Sequence, residues 1–339
     1  MKSYSIISVD ANQHQETIIK LWNEYLPGTP AQRFDWMMQG NPAGPPDWYF
    51  AIDDNDQNIV GMISILPRRL YLHGNTLRAG IMGDFVVTKS NRVFGPALSL
   101  VKHAIKDMKN RGYDLLYTIP NNESSKLLQR AGFIKIFEMN CFVSPIDIRN
   151  YINKRIPGFI VSMLSFLYRN FLRLFDINIY RKISNVTEIE IENTKQLHQF
   201  IGKIHNSSKR IIGDISTEFL NWRYRENPHA IFKYFAYLDN NTKEYKGIAI
   251  ISYSKYGIEI YDLIVLTKFA YYSLISAIRN VALKDSIPKI YFRISNNFQY
   301  YDCLKYSYFY NAKDSFNIKA YGSNDIFNNY SIMSCDRNL

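Results

Sequence analysis

The first 145 residues alternate between short apolar runs and amphipathic segments with helical spacing. This pattern predicts strands at about 3–9, 48–53, 59–71, 78–87, 114–119 and 133–142. It predicts helices at about 13–26, 31–38, 97–111 and 122–131. Helices that alternate with strands after a meander are typical of a mixed α/β sheet with helices on both faces.

Several features of this first segment recur in the same order later in the chain. The motif W-x-x-x-x-N-P occurs at 36–42 and again at 222–228. An aromatic strand follows the motif at 48–53 and again at 232–239. An apolar strand that opens on glycine comes next, at 61–66 and at 247–252. An Ile-x-Asn-Asn sequence occurs later, at 119–122 and at 294–297. The repetition predicts two tandem copies of one α/β unit. We expect a first domain at 1–144, a connector at 145–186, a second domain at 187–322 and a tail at 323–339.

The segment after the strand at 78–87 carries the clearest candidate for a binding site. A polar loop with the spacing R-x-x-G-x-A, formed by Arg92, Gly95 and Ala97, leads directly into an amphipathic helix. The N-terminus of a helix binds anions because its N–H groups are unpaired and its dipole is positive there. Gly95 and Ala97 would let a phosphate approach the backbone closely.

This loop resembles the pyrophosphate loop of the GNAT superfamily of acyl-CoA-dependent N-acyltransferases, whose signature is Q/R-x-x-G-x-G/A. The Asn-initiated segment 121–133, which ends in Gly-Phe, is similar to the second motif of that family. The resemblance covers about residues 1–143 and extends to the C-terminal half in outline. It implies a pair of tandem GNAT-like domains with a mixed α+β sheet.

The resemblance also implies a donor substrate, acetyl-CoA or another acyl-CoA, and no metal. In the family the pantetheine arm follows the exposed backbone of the fourth strand and the pyrophosphate lies on the loop. The residues that match these positions are Phe85, Val86, Val87, Arg92, Val93, Phe94, Gly95, Pro96, Ala97 and Asn121. Asn121 is also expected to cap its helix.

Direct acyl transfer needs a base for the ammonium proton and an acid for the leaving thiolate. Asp84, at the end of the strand before the loop, is the candidate base; the alternative is a structural carboxylate that caps a turn or pairs with an arginine. Asp262 holds the corresponding position in the second copy. Members of the family often carry a tyrosine that acts as the general acid at the position where this chain has Leu128. Tyr117 is therefore the candidate acid here, and the alternative is that Tyr117 is a packed core residue.

The second copy departs from the pattern at the corresponding loop. After Val265 the chain reads Leu-Thr-Lys-Phe-Ala-Tyr-Tyr, with aromatic residues and no glycine. A phosphate would meet side chains there rather than backbone. We therefore expect that the second copy does not bind CoA, and that it shapes the acceptor site or covers the first copy.

The composition of the chain bears on its partners and its location in the cell. The net charge of +11 favours acidic partners such as phosphorylated cofactors, anionic lipid or nucleic acid, although a basic surface also serves solubility. Three widely spaced cysteines indicate neither a disulfide framework nor a zinc cluster. The N-terminal sequence reads as a strand rather than a signal peptide, so a cytoplasmic location is expected.

The connector combines basic and apolar residues. Residues 145–186 hold seven lysines and arginines against two aspartates, and 156–175 are strongly apolar. Arg169 and Arg173 interrupt this run, which is too short to span a bilayer. It predicts either an interfacial helix in peripheral contact with an anionic membrane or a helix packed against the two domains.

Three functions compete at this point. The first is an acyl-CoA-dependent N-acyltransferase acting on a small primary amine such as a nucleotide-linked or lipid-linked amino sugar, with no nucleic-acid partner. The second is a Fem-like transferase that uses aminoacyl-tRNA, which the charge of +11 would suit. The third is a non-catalytic binding protein that keeps the fold, which the missing tyrosine would favour. The oligomeric state does not follow from the sequence.

Overall fold

The computed structural model describes residues 3–72, 74–92, 95–153, 155–180, 185–192, 194–207 and 211–322. We call residues 4–145 the N-terminal half. Its strands and α-helices, in chain order, are β1 (Tyr4–Val9), α1 (Gln15–Tyr25), α2 (Gln32–Gln39), β2 (Asp47–Asp53), β3 (Ile59–Leu72), β4 (Asn75–Val87), α3 (Pro96–Asp107), β5 (Leu115–Thr118), α4 (Asn122–Arg130) and β6 (Ile134–Pro145). This is the order predicted from the sequence.

The largest difference from the predicted boundaries of the N-terminal half lies at the end of α3. Helix α3 ends at Asp107, whereas the apolar spacing predicted a helix to 111. The chain leaves the helix because Gly112 adopts a left-handed φ of 72°. The N–H of Tyr113 then donates to the carbonyl oxygen of Met108 at 2.8 Å, which closes the turn before β5 begins.

The rest of the described chain begins with a long helix and then forms the C-terminal half, which we define as residues 186–322. Its elements are α5 (Gly158–Tyr180), β7 (Val186–Ile189), α6 (Lys195–Ser207), β8 (Ile212–Gly213), α7 (Thr217–Leu220), β9 (Phe232–Leu238), β10 (Tyr245–Ser254), β11 (Gly257–Val265), α8 (Lys268–Lys284), β12 (Lys289–Ser295), α9 (Cys303–Tyr306) and β13 (Tyr310–Gly322). A π-helical turn, Asn221–Arg225, continues α7. The predicted tail, 323–339, lies outside the described residues.

All of these strands belong to one 13-stranded mixed sheet. Its order is β1-β2-β3-β4-β5-β13-β6-β12-β11-β10-β9-β7, with β8 added beside β3. Two neighbouring pairs are parallel, β4 with β5 and β11 with β12. The order is nearly symmetric about its centre, which is formed by β13 and β6. On one side of this centre lie strands of the N-terminal half, and on the other side lie strands of the C-terminal half in a corresponding order.

At this centre the halves exchange their last strands. Strand β13, from the end of the C-terminal half, pairs with β5, and strand β6 of the N-terminal half pairs with β12. The exchanged strands also pair with each other, for example at Phe316 and Met139. Backbone hydrogen bonds therefore run without interruption from one half of the sheet to the other.

Helices cover both faces of this sheet, as predicted for a mixed α/β fold. Alternate residues of β3 enter different hydrophobic clusters, Met62 on one face and Ile63 on the other. The cluster that contains Met62 draws buried side chains from both halves, including Trp22 and Phe200. On the opposite face, α3 and α8 each cover one half, through residues such as Val101 and Leu274.

Helix α5 packs on α8 rather than lying apart. Leu172 is buried, and the guanidinium of Arg169 donates to the carbonyl oxygen of Leu283 at 2.9 Å. The hydroxyl of Tyr168 donates to the carbonyl oxygen of Pro145 at 3.2 Å. Among the described residues, no helix has both the length and the apolar character needed to cross a membrane.

Candidate active site

Strands β4 and β5 diverge at the place where the sequence predicted the donor site. Their parallel pairing ends at Ile81 and Tyr117. One further contact joins the strands, from the hydroxyl of Thr118 to the carbonyl oxygen of Met82 at 2.9 Å. Beyond it, β4 continues to Val87 and keeps its pairing with β3 on the other side. The segment that includes Phe85, Val86 and Val87 therefore presents one backbone edge to a V-shaped opening.

Asp84 lies in this segment, at a bulge between β3 and β4. The register of the two strands shifts between Met62 and Ser64, and Asp84 adopts a left-handed φ of 45°. Positive φ in a residue other than glycine is a strained conformation that is concentrated at functional sites.

The carboxylate of Asp84 is buried and fully engaged. The hydroxyl of Ser64 donates to one of its oxygens at 2.6 Å, and the guanidinium of Arg33 on α2 forms an ion pair with the other. The side chains are 2% exposed for Asp84 and 8% exposed for Arg33. A carboxylate held in this way fixes the position of Arg33 and of α2 against β4.

The loop after β4 ends in an uncapped helix N-terminus. Gly95 is the N-cap residue of α3 with a left-handed φ of 96°, and Pro96 opens the helix. No side chain of the described residues caps this end. A Cβ atom built on Gly95 would meet no heavy atom within 4 Å, so the space beside the helix end is open. The first turn at Ala97 therefore offers its N–H groups and positive dipole to an anion.

Two other residues hold this loop against the sheet. The buried amide of Asn91 accepts a hydrogen bond from the hydroxyl of Tyr4 at 3.1 Å and donates to the hydroxyl of Thr88 at 3.0 Å. Arg92 is exposed, with its Nε 3.5 Å from the carbonyl oxygen of Val87. Its guanidinium is thus accessible beside the helix end. Val93 and Phe94, which the sequence also assigned to this site, lie outside the described residues.

Asn121 lies on the opposite side of the opening, at the start of α4. Its side chain accepts a hydrogen bond from the N–H of Ser124 at 2.8 Å, which confirms the predicted helix cap. Lys319, on the exchanged strand β13, donates to the carbonyl oxygen of Ser125 at 2.7 Å. The C-terminal half thereby helps to fix this side of the opening.

Tyr117 occupies the last paired position of β5, at the point where the two strands separate. It is completely buried and packs in the cluster that joins the two halves. The structure therefore brings Tyr117 to the apex of the V-shaped opening and also places it in the core. This position is compatible with a catalytic acid and with a packed core tyrosine.

One residue of the C-terminal half that the sequence analysis did not assign, His229, is within the electrostatic influence of Asp84. The ring of His229 contacts the ring of Trp36 edge-on, with 6.2 Å between centroids. Burial lowers the pKa of His229, the charges of Arg33 and Arg223 add to this, and Asp84 acts in the opposite direction. An imidazole with a lowered pKa is neutral near pH 7 and can accept a proton.

One signal in the sequence pointed to this region. Both W-x-x-x-x-N-P motifs form the same turn, in which the asparagine side chain accepts from the N–H two residues later. In the first motif that later residue is Ala43, and in the second it is His229. The repetition shows where the motif turns, but the neighbours of His229 come from the other half of the chain.

The loop after β11 differs from the loop after β4 in the way that the sequence predicted. The hydroxyl of Thr267 caps α8 by accepting from the N–H of Ala270 at 3.1 Å. Aromatic rings fill the adjacent space: Tyr271 on α8 lies 6.4 Å from Phe298 and 6.0 Å from Tyr300, between centroids. This helix end is therefore already capped and covered. Asp262, on β11, is buried and accepts a hydrogen bond from the hydroxyl of Tyr224.

Other features of the described residues do not add to this site. They contain no cluster of three or more histidine, cysteine, aspartate or glutamate residues suited to a metal ion. A cavity of about 590 Å³ is an open groove on the outer face of α1, lined by Glu16, Ile19, Lys20, Asn23 and Glu24. None of these residues belongs to the opening between β4 and β5.

Comparison with known proteins finds one family that matches part of this chain. The acetyltransferase (GNAT) domain family matches residues 8–134, which include the diverging strands, the loop and α3. A search of curated proteins finds no match.

Several solved structures share the fold over 94% or more of this chain. A probable N-acyltransferase of unknown function from Enterococcus faecalis is 12% identical, with a TM-score of 0.67 over 94% of this chain and 72% of that one. A GCN5-related N-acetyltransferase from Anabaena variabilis is 12% identical, with a TM-score of 0.65 and the same coverage of 94% and 72%. The N-myristoyltransferase of Saccharomyces cerevisiae, solved with bound myristoyl-CoA, is 11% identical, with a TM-score of 0.58 over 98% of this chain and 88% of that one.

At these identities the solved structures show the fold alone. The domain match is independent of them and lies on the half of the chain that has the open loop. Residues 8–134 match the acetyltransferase (GNAT) domain family, and this match supports an acyl-CoA N-acyltransferase.

Proposed function

We propose that this chain transfers an acyl group from acyl-CoA to a primary amine, with a single donor site in its N-terminal half. The observation that carries the proposal is the uncapped N-terminus of α3, with Gly95 at a φ of 96°, beside the opening between β4 and β5. A pyrophosphate would lie on the loop of Arg92, Gly95 and Ala97. The pantetheine arm would follow the edge of β4 at Phe85, Val86 and Val87, with Asn121 opposite.

The reaction needs two proton transfers. The amine nitrogen attacks the thioester carbonyl carbon, an N–C bond forms, and the C–S bond breaks with its electron pair passing to sulfur. The ammonium proton must leave to a base, and the CoA thiolate must gain a proton. Acetyl-CoA is the simplest donor; a longer acyl chain would need room beyond the apex at Tyr117.

Two residues are candidates for the base, Asp84 and His229. Asp84 lies on β4 next to the opening, but its two oxygens already accept hydrogen bonds from Ser64 and Arg33. His229 is partly exposed and its pKa is lowered, mainly by burial, which keeps the imidazole neutral. Tyr117, at the apex of the opening, is the candidate acid.

We further infer that the two halves are tandem copies of one unit, of which the second has lost donor binding. Support comes from the second parallel pair, β11 with β12, and from the bulge in β10–β11 beside Asp262. The Thr267 cap and the Tyr271 cluster oppose a second donor site. The C-terminal half would instead complete the acceptor side, through His229.

The acceptor in this proposal is a small amine, such as a nucleotide-linked or lipid-linked amino sugar. A phosphate on such an acceptor would be favoured by the net charge of +11. A cytoplasmic location would fit this use of CoA.

A Fem-like transfer from aminoacyl-tRNA remains the second candidate, because the net charge of +11 suits a nucleic acid. That donor has no need of the open loop at Gly95. A non-catalytic protein with this fold is the third candidate.

An assay of thiol release tests the proposal. Purified chain is mixed with acetyl-CoA and a panel of amino sugars and their nucleotide conjugates, and free CoA is measured with a thiol reagent. Release that depends on both substrates, with N-acetylated product identified by mass spectrometry, would support it. Donor binding without turnover on any amine would favour the non-catalytic candidate.

A further inference from the structure

Helix α5 leaves a broad apolar face uncovered. Its opposite side, with Ser165, Tyr168 and Leu172, packs against α8 and the end of β6. The side chains on the uncovered face are between 37% and 75% exposed; they are Phe159, Met163, Leu164, Phe166, Leu167 and Leu174. Their spacing by three or four residues places them together along the helix. A contiguous apolar patch of this kind marks a surface that contacts another apolar phase.

A polar cleft borders the same face. A cavity of about 330 Å³ lies between α5 and the segment after β6, next to Phe166. Its polar lining consists of Asp147, Arg149, Ser162, Ser165, Arg169, Asn170 and Arg173. One carboxylate faces three guanidinium groups there, which leaves an excess of two positive charges.

The single acid of the cleft is already neutralised. Asp147 accepts hydrogen bonds from the side chain of Arg149 at 2.7 Å and from the hydroxyl of Ser165 at 2.9 Å. Partial burial raises the pKa of Asp147, but these hydrogen bonds outweigh it and lower the pKa to about 2. The charges of Arg169 and Arg173 therefore remain available to an anion.

We propose that α5 and this cleft dock the protein on an anionic phospholipid surface. The phosphate of a headgroup enters the cleft between Arg169 and Arg173, and Phe159, Phe166 and Leu167 insert at the boundary of the acyl chains. An amphipathic helix with cations beside its apolar face binds membranes in this orientation, parallel to the surface.

Charge decides between a membrane and a second copy of this chain. A second copy that packed on the same face would bring two positive clefts together, and this repulsion disfavours the pairing. An anionic bilayer complements both the cleft and the apolar face. The docking does not depend on the proposed acyl transfer, because no residue of the donor site takes part in it.

Vesicle flotation with the full chain tests the proposal. Vesicles of phosphatidylcholine alone are compared with vesicles containing phosphatidylglycerol, at low salt and at high salt. We expect binding to the anionic vesicles, at least ten-fold weaker binding to the neutral ones, and a marked loss of binding at high salt.

Matched variants separate the two parts of the surface. The triple variant F159S/F166S/L167S and the single variant Arg173→Glu should each weaken binding at least ten-fold. The control variants, I231S for an exposed apolar residue elsewhere and Lys255→Glu for an exposed cation elsewhere, should bind as the parent chain does. Circular dichroism checks that every variant is folded.

Three outcomes would overturn the proposal. One is a parent chain that does not float with anionic vesicles. Another is unchanged binding in the triple serine variant. The third is a concentration-dependent dimer in analytical ultracentrifugation that the triple variant abolishes, which would identify a second copy as the occupant.

Discussion

Trp36 and Trp222 bind each other's main chain across the junction of the two halves. The indole N–H of each donates to the carbonyl oxygen of the other at 2.7 Å. The rings stack with 4.7 Å between centroids and an angle of 13°. These are the first residues of the two W-x-x-x-x-N-P motifs, so the repeated motif forms a reciprocal contact at the centre of the molecule.

This contact should be a strong contributor to stability. Trp222→Phe keeps an aromatic ring but leaves the buried carbonyl oxygen of Trp36 without its donor, which costs about 1–3 kcal/mol. The double variant W36F/W222F should lose less than the sum of the two single changes, by about 1 kcal/mol, because the two residues are coupled. Chemical unfolding of the four proteins measures this coupling, and strict additivity would contradict it.

The pH dependence of stability should reveal His205. Burial lowers the pKa of His205 to about 4, the charges of Arg68 and Arg69 add to this, and Asp214 opposes it. The ring stacks on Tyr71, with 3.8 Å between centroids. Between pH 6.5 and 4 the unfolded chain binds a proton at this site that the folded chain does not, so stability falls as the pH falls.

The variant His205→Phe keeps a ring on Tyr71 and removes the titration. We expect the parent chain to lose about 1–2 kcal/mol more than this variant between pH 7 and 4.5, after allowance for partial solvent access. Above pH 7 the difference between the two proteins should be constant. Parallel unfolding curves over the whole pH range would rule out the assigned role of His205.

Much of the N-terminal half could be predicted because its information is local. Apolar spacing located α1 and β3, and the spacing of Arg92, Gly95 and Ala97 located the helix end beside the opening. The helix cap at Asn121 followed in the same way, from a residue type and its neighbours. These features depend on residues that are a few positions apart.

The centre of the molecule could not be predicted in the same way. The exchange of β6 and β13 joins segments more than 140 residues apart, and either strand would satisfy the same apolar pattern in its own half. The ion pair of Asp84 was foreseen as an alternative, but its partner, Arg33, was not identified. His229 carries no signal of its own in the sequence, because the residues that it meets in the structure, such as Trp36, belong to the other half.

The identity of the base should follow from the pH dependence of acyl transfer. If His229 accepts the proton, kcat/KM should fall toward acid pH with a midpoint below the ordinary histidine pKa of about 6.5, because burial lowers the pKa of His229. His229→Gln should lower the rate by about 100-fold or more and remove this acid limb of the pH profile. Asp84→Asn would then act mainly through Arg33, with unchanged pH dependence.

The reverse result assigns the base to Asp84. In that case His229→Gln keeps the limb and most of the rate, and Asp84→Asn lowers kcat by about 100-fold or more with little change in KM. Because Asp84→Asn leaves a buried Arg33 without its counter-charge, its fold must be checked first by thermal unfolding. Full activity in both variants would exclude both residues.

The role of Tyr117 can be separated from its packing. Tyr117→Phe keeps the buried ring and removes only the hydroxyl, so its fold should be retained. If the hydroxyl protonates the thiolate, kcat should fall by about 10–100-fold with acetyl-CoA, and less with an activated thioester whose leaving group needs no proton. An equal effect on both donors would show that Tyr117 is a core residue only.

The central claim is that the N-terminal half holds one donor site at the N-terminus of α3, and calorimetric titration with CoA and acetyl-CoA tests it most directly. The variants are Gly95→Asp and, as a matched control, Gly112→Asp. Both glycines have positive φ, and a Cβ atom built on either would meet no heavy atom within 4 Å. They lie at opposite ends of the same helix region. We predict one site per chain, an affinity that falls about 100-fold or more in Gly95→Asp because of charge repulsion at the phosphate, and no change in Gly112→Asp. Equal affinity in Gly95→Asp and the parent chain, or two sites per chain, would contradict the account.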